Sequence, residues 1–280
     1  GNAPGNDQRY QPDKVEAGRN FANKVWNAFR FVLMNLDEGS TLPKPSECEL
    51  ADEDRWILSR LNTVTAEMTG NLEKYELGIA LAKIYGFVWE EFCDWYIEIA
   101  KPRLADRANP AARRTAQAVL SEVLTTAMKL LHPFMPFLTE AVYTALPGTE
   151  ASIMTSEWPQ ADPDRSFPDE EKRMRILMDG IRAIRNVRTG LNVPPSRKAA
   201  IIVVSADPAV SDGFLAGAAY VQRLVQVSTI ECRPDASGIP DSAVAAVFEG
   251  GTVYIPLGEL VDLAKEKERL AKEKENAERE

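Results

Sequence analysis

Four side chains of one helical stretch, Arg19, Asn23, Asn27 and Arg30, have the types and the spacing to do chemistry. Advancing ~100° per residue from Arg19 places all four, with Asn20 and Lys24, within an arc of about 140°. Val25, Ala28, Phe29 and Val32 fall on the opposite side. The stretch carries Lys14, Arg19, Lys24 and Arg30 against Asp13 and Glu16, a net charge of +2 in a chain whose formal charge is −9. Asparagine is a poor helix former, so three asparagines on one exposed face carry a propensity penalty. Asparagine and arginine also meet base edges and phosphates with paired donors and acceptors. Trp26, beside the arc, can stack on an unpaired base. The chemistry open to this face is recognition, not bond making. A solvated helix face with a half-buried tryptophan fits the same residues.

Bond-making chemistry finds no support elsewhere. There is no GxxxxGK phosphate loop, no GxGxxG at a strand-to-helix turn and no GxSxG elbow. His132 is the single histidine, and it lies between the end of a helix and Pro133, where a structural role is expected. Cys48, Cys93 and Cys232 are far apart, with no CxxC pair, so neither a disulfide framework nor a zinc site is expected. No catalytic residue, cofactor site or metal site is therefore assigned.

Two further groups of residues invite a binding reading. The run from Trp89 to Ile97 is aromatic enough for an RNA platform. The helical wheel instead puts Ile84, Val88, Phe92, Trp95, Tyr96 and Ile99 on one apolar face, with Glu90, Asp94 and Glu98 opposite. Core packing is expected for most of these aromatics, and an ion pair to a neighbouring helix for Asp94. Arg182, Arg185, Arg188, Arg197 and Lys198 cluster near Pro194-Pro195 and could grip phosphate. Pairing with Asp169, Glu170 and Glu171 is the reading we favour.

The elements that must position these residues follow from periodicity and punctuation. Asp13 to Leu36, Ala51 to Glu73, Leu77 to Leu104 and Pro110 to Leu131 read as helices, the last stopped by Pro133. A short helix from Phe137 to Leu146 ends at Pro147-Gly148. Short connections between successive helices predict an up-and-down bundle. Ser152 to Trp158 reads as extended, and Pro159 to Pro168 as a Pro/Asp-rich linker. Beyond it come a helix (Asp169 to Thr189), a strand (Ala200 to Val204), a helix (Asp212 to Val225) and a strand (Val227 to Cys232). Ala243 to Phe248 and Thr252 to Leu257 flank Glu249-Gly250-Gly251 as a hairpin. In the tail, Leu260, Leu263, Leu270 and Ala277 recur at near-heptad steps, which suits the start of a coiled-coil arm. The expected organisation is mainly α: a connecting segment (1–12), a helical bundle (13–158), a small α+β domain with its leading helix (159–258) and a truncated coiled-coil helix (259–280).

Composition bounds the partners. At roughly 100–200 residues per domain, 280 residues suggest two domains and an appendage. With 33 Lys+Arg against 42 Asp+Glu, coating of nucleic acid by bulk charge is excluded, so any contact must be local. Gly1 to Asp7 does not read as a signal peptide, and no apolar run reaches the ~18 residues a membrane span needs. A reducing, cytoplasmic setting is expected. The chain lacks a starting methionine and stops inside a charged helical pattern, so a fragment of a longer protein is expected.

Taken together, the segments resemble one family. Gly18-Arg19-Asn20-Phe21-Ala22-Asn23-Lys24-Val25-Trp26-Asn27-Ala28-Phe29-Arg30-Phe31-Val32-Leu33-Met34-Asn35-Leu36 looks like the helix that opens the anticodon-binding domain of valyl-tRNA synthetases. Gly1 to Asp7 is similar to the segment that follows those enzymes' catalytic core. Asp54-Arg55-Trp56-Ile57-Leu58, Glu91-Phe92-Cys93-Asp94-Trp95-Tyr96 and Leu131 to Glu140 match in order, and Ile181 to Pro195 and the Lys/Glu tail resemble the C-terminal region. The HIGH and KMSKS signatures of class I enzymes are absent, as is an editing domain. The resemblance implies a parent ligase that attaches valine to its tRNA with ATP and Mg, and a segment that does not itself catalyse. For this segment it implies binding of the anticodon stem-loop of valine tRNA, by a monomer and away from membranes. The residues it points to are Arg19, Asn23, Trp26, Asn27 and Arg30. The competing reading is a helical protein-interaction scaffold with a coiled-coil tail.

Overall fold

The computed structural model describes residues 10–37, 41–194 and 196–256. The expected coiled-coil arm lies outside the described residues, as does the segment up to Arg9. The chain forms two compact units, residues 1–171 and 172–280.

The first unit is a helical bundle. α1 (Pro12–Asn35) starts at a proline, whose missing N–H is one that no helical carbonyl would have taken. It buries Phe21, Val25, Ala28, Phe29 and Val32. α2 (Asp52–Glu73) follows, its first turn held by the Asp54 carboxylate accepting from the Ala51 N–H at 3.1 Å. α3 (Leu77–Gly86) runs into a π-helical segment, Phe87–Tyr96, and on into α4 (Ile97–Ala105). α5 (Pro110–Leu131) has Asn109 as its cap, the side-chain oxygen accepting from the Ala112 N–H at 3.2 Å. Pro133 prevents continuation, and α6 (Pro136–Ala145) restarts the chain in a new direction. The helices match the sequence expectation closely.

Two stretches do not. Ser152 to Trp158 is not a strand. Ser152 Oγ accepts from the Met154 N–H at 3.2 Å and nucleates a 3-10 turn, Ile153–Thr155, because a local hydroxyl bond competes with strand pairing. The Pro/Asp-rich stretch that reads as a linker is bonded to the bundle. Asn62 donates to the Asp162 carbonyl at 2.9 Å and accepts from its N–H at 2.7 Å. Arg165 pairs with Glu122, and Ser59 Oγ accepts from the Phe167 N–H at 2.9 Å.

A buried ionic knot joins α2 to the π segment and α4. Asp54, with no exposed surface, accepts from Arg103 Nη1 and Nη2 at 2.7 and 2.6 Å and from the Tyr96 hydroxyl at 2.6 Å. Burial and the neighbouring Asp54 charge push the Tyr96 phenol well above its ordinary range. Burial alone would lower the Arg103 guanidinium; the hydrogen bonds and charge of Asp54 outweigh it, and the net direction is up. Asp54 and Tyr96 belong to two of the motifs that carry the resemblance, and here they hold helices together.

The second unit continues α7 (Pro168–Gly190) and adds a four-stranded sheet. β1 (Ala199–Val204) pairs parallel with β2 (Val227–Arg233) and antiparallel with β4 (Gly251–Pro256), which pairs antiparallel with β3 (Ala243–Phe248). The order is β2-β1-β4-β3. The β1–β2 crossover is not one helix from Asp212 but two, α8 (Pro208–Ala216) and α9 (Ala218–Val225), with Asp207 capping the first through Ala209 N–H at 2.9 Å. Gly250, at φ +100°, makes the β3–β4 turn, a backbone conformation that side chains resist. Gly180 lets α7 approach Phe214, which meets Phe248 edge-on at 5.7 Å; a methyl group at position 180 would lie 2.6 Å from the Phe214 ring.

Candidate nucleic-acid interface

The core of the first unit decides which face of α1 is left over. With Phe21, Val25, Ala28, Phe29 and Val32 buried, the remaining arc contains Arg19, Asn23, Trp26, Asn27 and Arg30, all exposed. The C-terminal end of the helix is fixed by α5. Gln117 Nε2 donates to the Asn35 carbonyl at 2.6 Å, and Arg113 pairs with Asp37 at 2.8 Å. The arc is therefore carried on a rigid element, as geometric recognition requires.

Among the described residues, the side chains of Asn23, Asn27 and Arg30 make no hydrogen bond or ion pair. Arg19 pairs with Glu16 at 2.6 Å, one turn back, with side chains 64% and 60% exposed. A pair that open to water is worth a few tenths of a kcal/mol at most, and an incoming phosphate can replace the carboxylate. Trp26 is 41% exposed and leans on Phe29, ring centroids 5.2 Å apart. It presents part of an indole to solvent while anchored in the core.

Lys24, counted from the sequence as part of the free arc, is held to the neighbouring helix. Its Nζ lies 2.6 Å from Asp94 Oδ1 and 3.7 Å from the centroid of the Trp89 ring. The pairing expected for Asp94 is thus found, and its partner is on α1. Trp89 and Asp94 are five residues apart, which an α-helix would set on different sides. The i→i+5 turns of the π segment bring them to one side. A second lysine repeats the device. Lys101 pairs with Glu98 and sits 5.5 Å from the Phe31 ring centroid. The seam between α1 and the π segment and α4 is thus lined by two lysines, each set over an aromatic ring and held by an acid.

The other candidates resolve as structural. Phe87, Val88, Phe92, Trp95 and Tyr96 are buried, so the aromatic run is mostly core, as the wheel indicates. Trp89 is half-buried, and Tyr85, on α3 one turn before it, is 37% exposed; these two escape the core, Trp89 having been left off the wheel's apolar face and Tyr85 not singled out. His132 has Nδ1 at 2.7 Å from Thr139 Oγ1 and Nε2 at 3.0 Å from Met154 Sδ, a tie between α5, α6 and the following turn. Arg188 is buried and donates to the backbone carbonyls of Arg197, Pro194 and Gln226 at 2.7, 3.3 and 3.4 Å. It closes the loops around β1 and neither faces solvent nor pairs with the acids at the start of α7. Of those acids, Glu171 accepts from Ser59 Oγ at 2.5 Å and lies 3.7 Å from Arg60. No cluster of His, Cys, Asp or Glu able to hold a metal ion is present among the described residues.

Residues 54–203 match the family model described as the anticodon-binding domain of tRNA ligase, more than half of the chain. The chain belongs to the anticodon-binding domain family of tRNA ligases. It is similar over nearly its whole length to bacterial proteins named valine–tRNA ligase. It is 47% identical to that of Clostridium perfringens over 98% of this chain and 31% of the relative. Identity to that of Clostridium tetani is 47%, over 96% of this chain and 30% of the relative. For Carboxydothermus hydrogenoformans it is 45%, over 98% of this chain and 30% of the relative. The chain spans less than a third of the length of these relatives. The family match starts at Asp54 and so omits α1, but the alignments with the ligases leave too few residues over to omit it.

Proposed function

We propose that this chain recognises the anticodon stem-loop of a valine tRNA, as part of a valine–tRNA ligase. The observation that carries the reading is the exposed side of α1, where Asn23, Asn27 and Arg30 stand unpaired on a helix whose reverse side is core. Unstacked loop bases are read by hydrogen bonds to their edges and by stacking on aromatic rings. Asn23 and Asn27 offer a donor and an acceptor each, Arg30 and Arg19 a planar fork for a base edge or a phosphate, and Trp26 a stacking or supporting ring. The attachment of valine, with its need for ATP and Mg, is assigned to the remainder of the ligase. We assign it a cytoplasmic, monomeric setting; among the described residues no helix is long and apolar enough to cross a membrane.

Single replacements test this. Asn27→Ala and Arg30→Ala are expected to weaken binding of valine tRNA while the helical circular dichroism and unfolding midpoint stay as in the parent chain. Cooperative loss of helicity would instead make these residues part of the packing. The scaffold reading has a different signature, namely a protein partner and no preference among tRNAs.

A further inference from the structure

We propose that Tyr85 and Trp89 form a second stacking platform, one that receives an unpaired nucleotide beside the open arc of α1. It rests on the RNA-binding reading above and extends that footprint to a second helix. Three rings build it. Phe21, 3% exposed, lies 4.4 Å from Tyr85 with the ring planes 26° apart. Tyr85 lies 5.7 Å from Trp89 with the planes 10° apart, and Phe21 and Trp89 are 6.3 Å and 16° apart. The three planes are close to parallel, and they rise from the core to the surface. Phe21 stacks on Tyr85, and Tyr85 is 37% exposed, which leaves part of the side chain for a further ring. Every base has a π-face, so stacking of this kind accepts any unpaired nucleotide.

Charge selects the occupant. Lys24 Nζ sits over Trp89 and beside Asp94, at the edge of the same platform. A nucleotide stacked on Tyr85 would bring its phosphate towards Lys24, which can exchange Asp94 for it. The Lys24–Asp94 pair keeps the free platform nearly neutral, in keeping with a chain that is acidic overall.

The test uses the 280-residue chain and a stem-loop RNA carrying the anticodon arm of a valine tRNA, with 2-aminopurine in the loop. A blunt duplex of the stem sequence is the control. Tyr85→Leu keeps an apolar group on Phe21 without a π-face, and Tyr85→Phe keeps the ring. Tyr85→Leu is expected to weaken stem-loop binding by roughly five- to hundredfold, the range for loss of one base stack. Duplex binding should be unchanged, the 2-aminopurine quenching on binding should diminish, and Tyr85→Phe should restore both properties. Stem-loop affinity and quenching unchanged in Tyr85→Leu, with Arg30→Ala still weakened, would overturn the platform and leave the anticodon reading standing. A parent chain that binds stem-loop no better than duplex would overturn both.

Discussion

Lys24 Nζ lies 2.6 Å from Asp94 Oδ1, an ion pair that ties α1 to the π segment across seventy positions of sequence. It removes one cation from the face that the sequence presents as basic. The charge left on the open side of α1 is then chiefly Arg19 and Arg30, the first of them already shared with Glu16. In the function proposed above, this face would rely on oriented hydrogen bonds and stacking more than on bulk attraction.

Replacing Asp94 by Asn should therefore raise affinity for RNA. The pair is partly open, with side chains 22% and 51% exposed, so its loss costs at most about 1 kcal/mol of stability. The freed Lys24 adds a phosphate contact. Binding titrations across a salt series should show the slope of log affinity against log salt steepening by about 0.7, the value per contact for single strands. An unchanged slope would mean that Lys24 stays over Trp89 without its acid.

The ionic knot behaves differently because it is buried. Asp54→Ala leaves the Arg103 guanidinium without its bidentate partner, and loss of one member of such a pair costs about 3–5 kcal/mol. Urea unfolding should show this as a marked fall in midpoint. Arg30→Ala, on the exposed face, should change stability by no more than about 0.5 kcal/mol. Similar midpoints for both variants would contradict the roles assigned to the two groups.

Glu53 adds a pH dependence. Burial raises its carboxyl above the ordinary 4.5; the Arg103 charge opposes the shift and Asp54 adds to it. The folded chain thus holds this proton more tightly than the unfolded chain. Its contribution is greatest below the unfolded value and is lost as pH rises through the folded one. Glu53→Gln should be more stable than the parent at neutral pH, and the gap should close as pH falls to about 4.5. A gap that widens on acidification would reverse the sign and sink the account.

The thiols separate in the same way. Burial pushes the Cys93 thiol up to about 12, with Lys24 opposing the shift, while Cys48 is only half-buried. Iodoacetamide at mildly alkaline pH should alkylate Cys48 well before Cys93 in the folded chain, read by peptide mass spectrometry. Equal rates would mean that α1 opens from the π segment readily.

How much was legible in the sequence depended on whether the controlling force was local. The span of α5 could be read because Pro110 opens it and Pro133 prevents its continuation. The buried side of α1 could be read because its apolar residues keep α-periodicity. The π segment could not, since a wheel at ~100° per residue has no place for an i→i+5 turn. The wheel gave Asp94 an ion pair without a partner, and Lys24, placed on the α1 arc, was not connected with it. Arg188 was misread for a related reason: its partners are backbone carbonyls, which no side-chain pattern announces. The stretch around Asp162 has the composition of a linker, and only the Asn62 side chain, a hundred positions earlier, ties it down.

The central claim is that the exposed arc of α1 reads anticodon bases. The most direct measurement compares the affinity of the chain for valine tRNA with its affinity for the same tRNA carrying altered anticodon bases, at one salt concentration. Loss of one or two hydrogen bonds to charged or paired groups predicts weakening by about tenfold or more. The Asn27→Ala chain should discriminate less between the two tRNAs. Equal affinity of the parent chain for both would contradict the account.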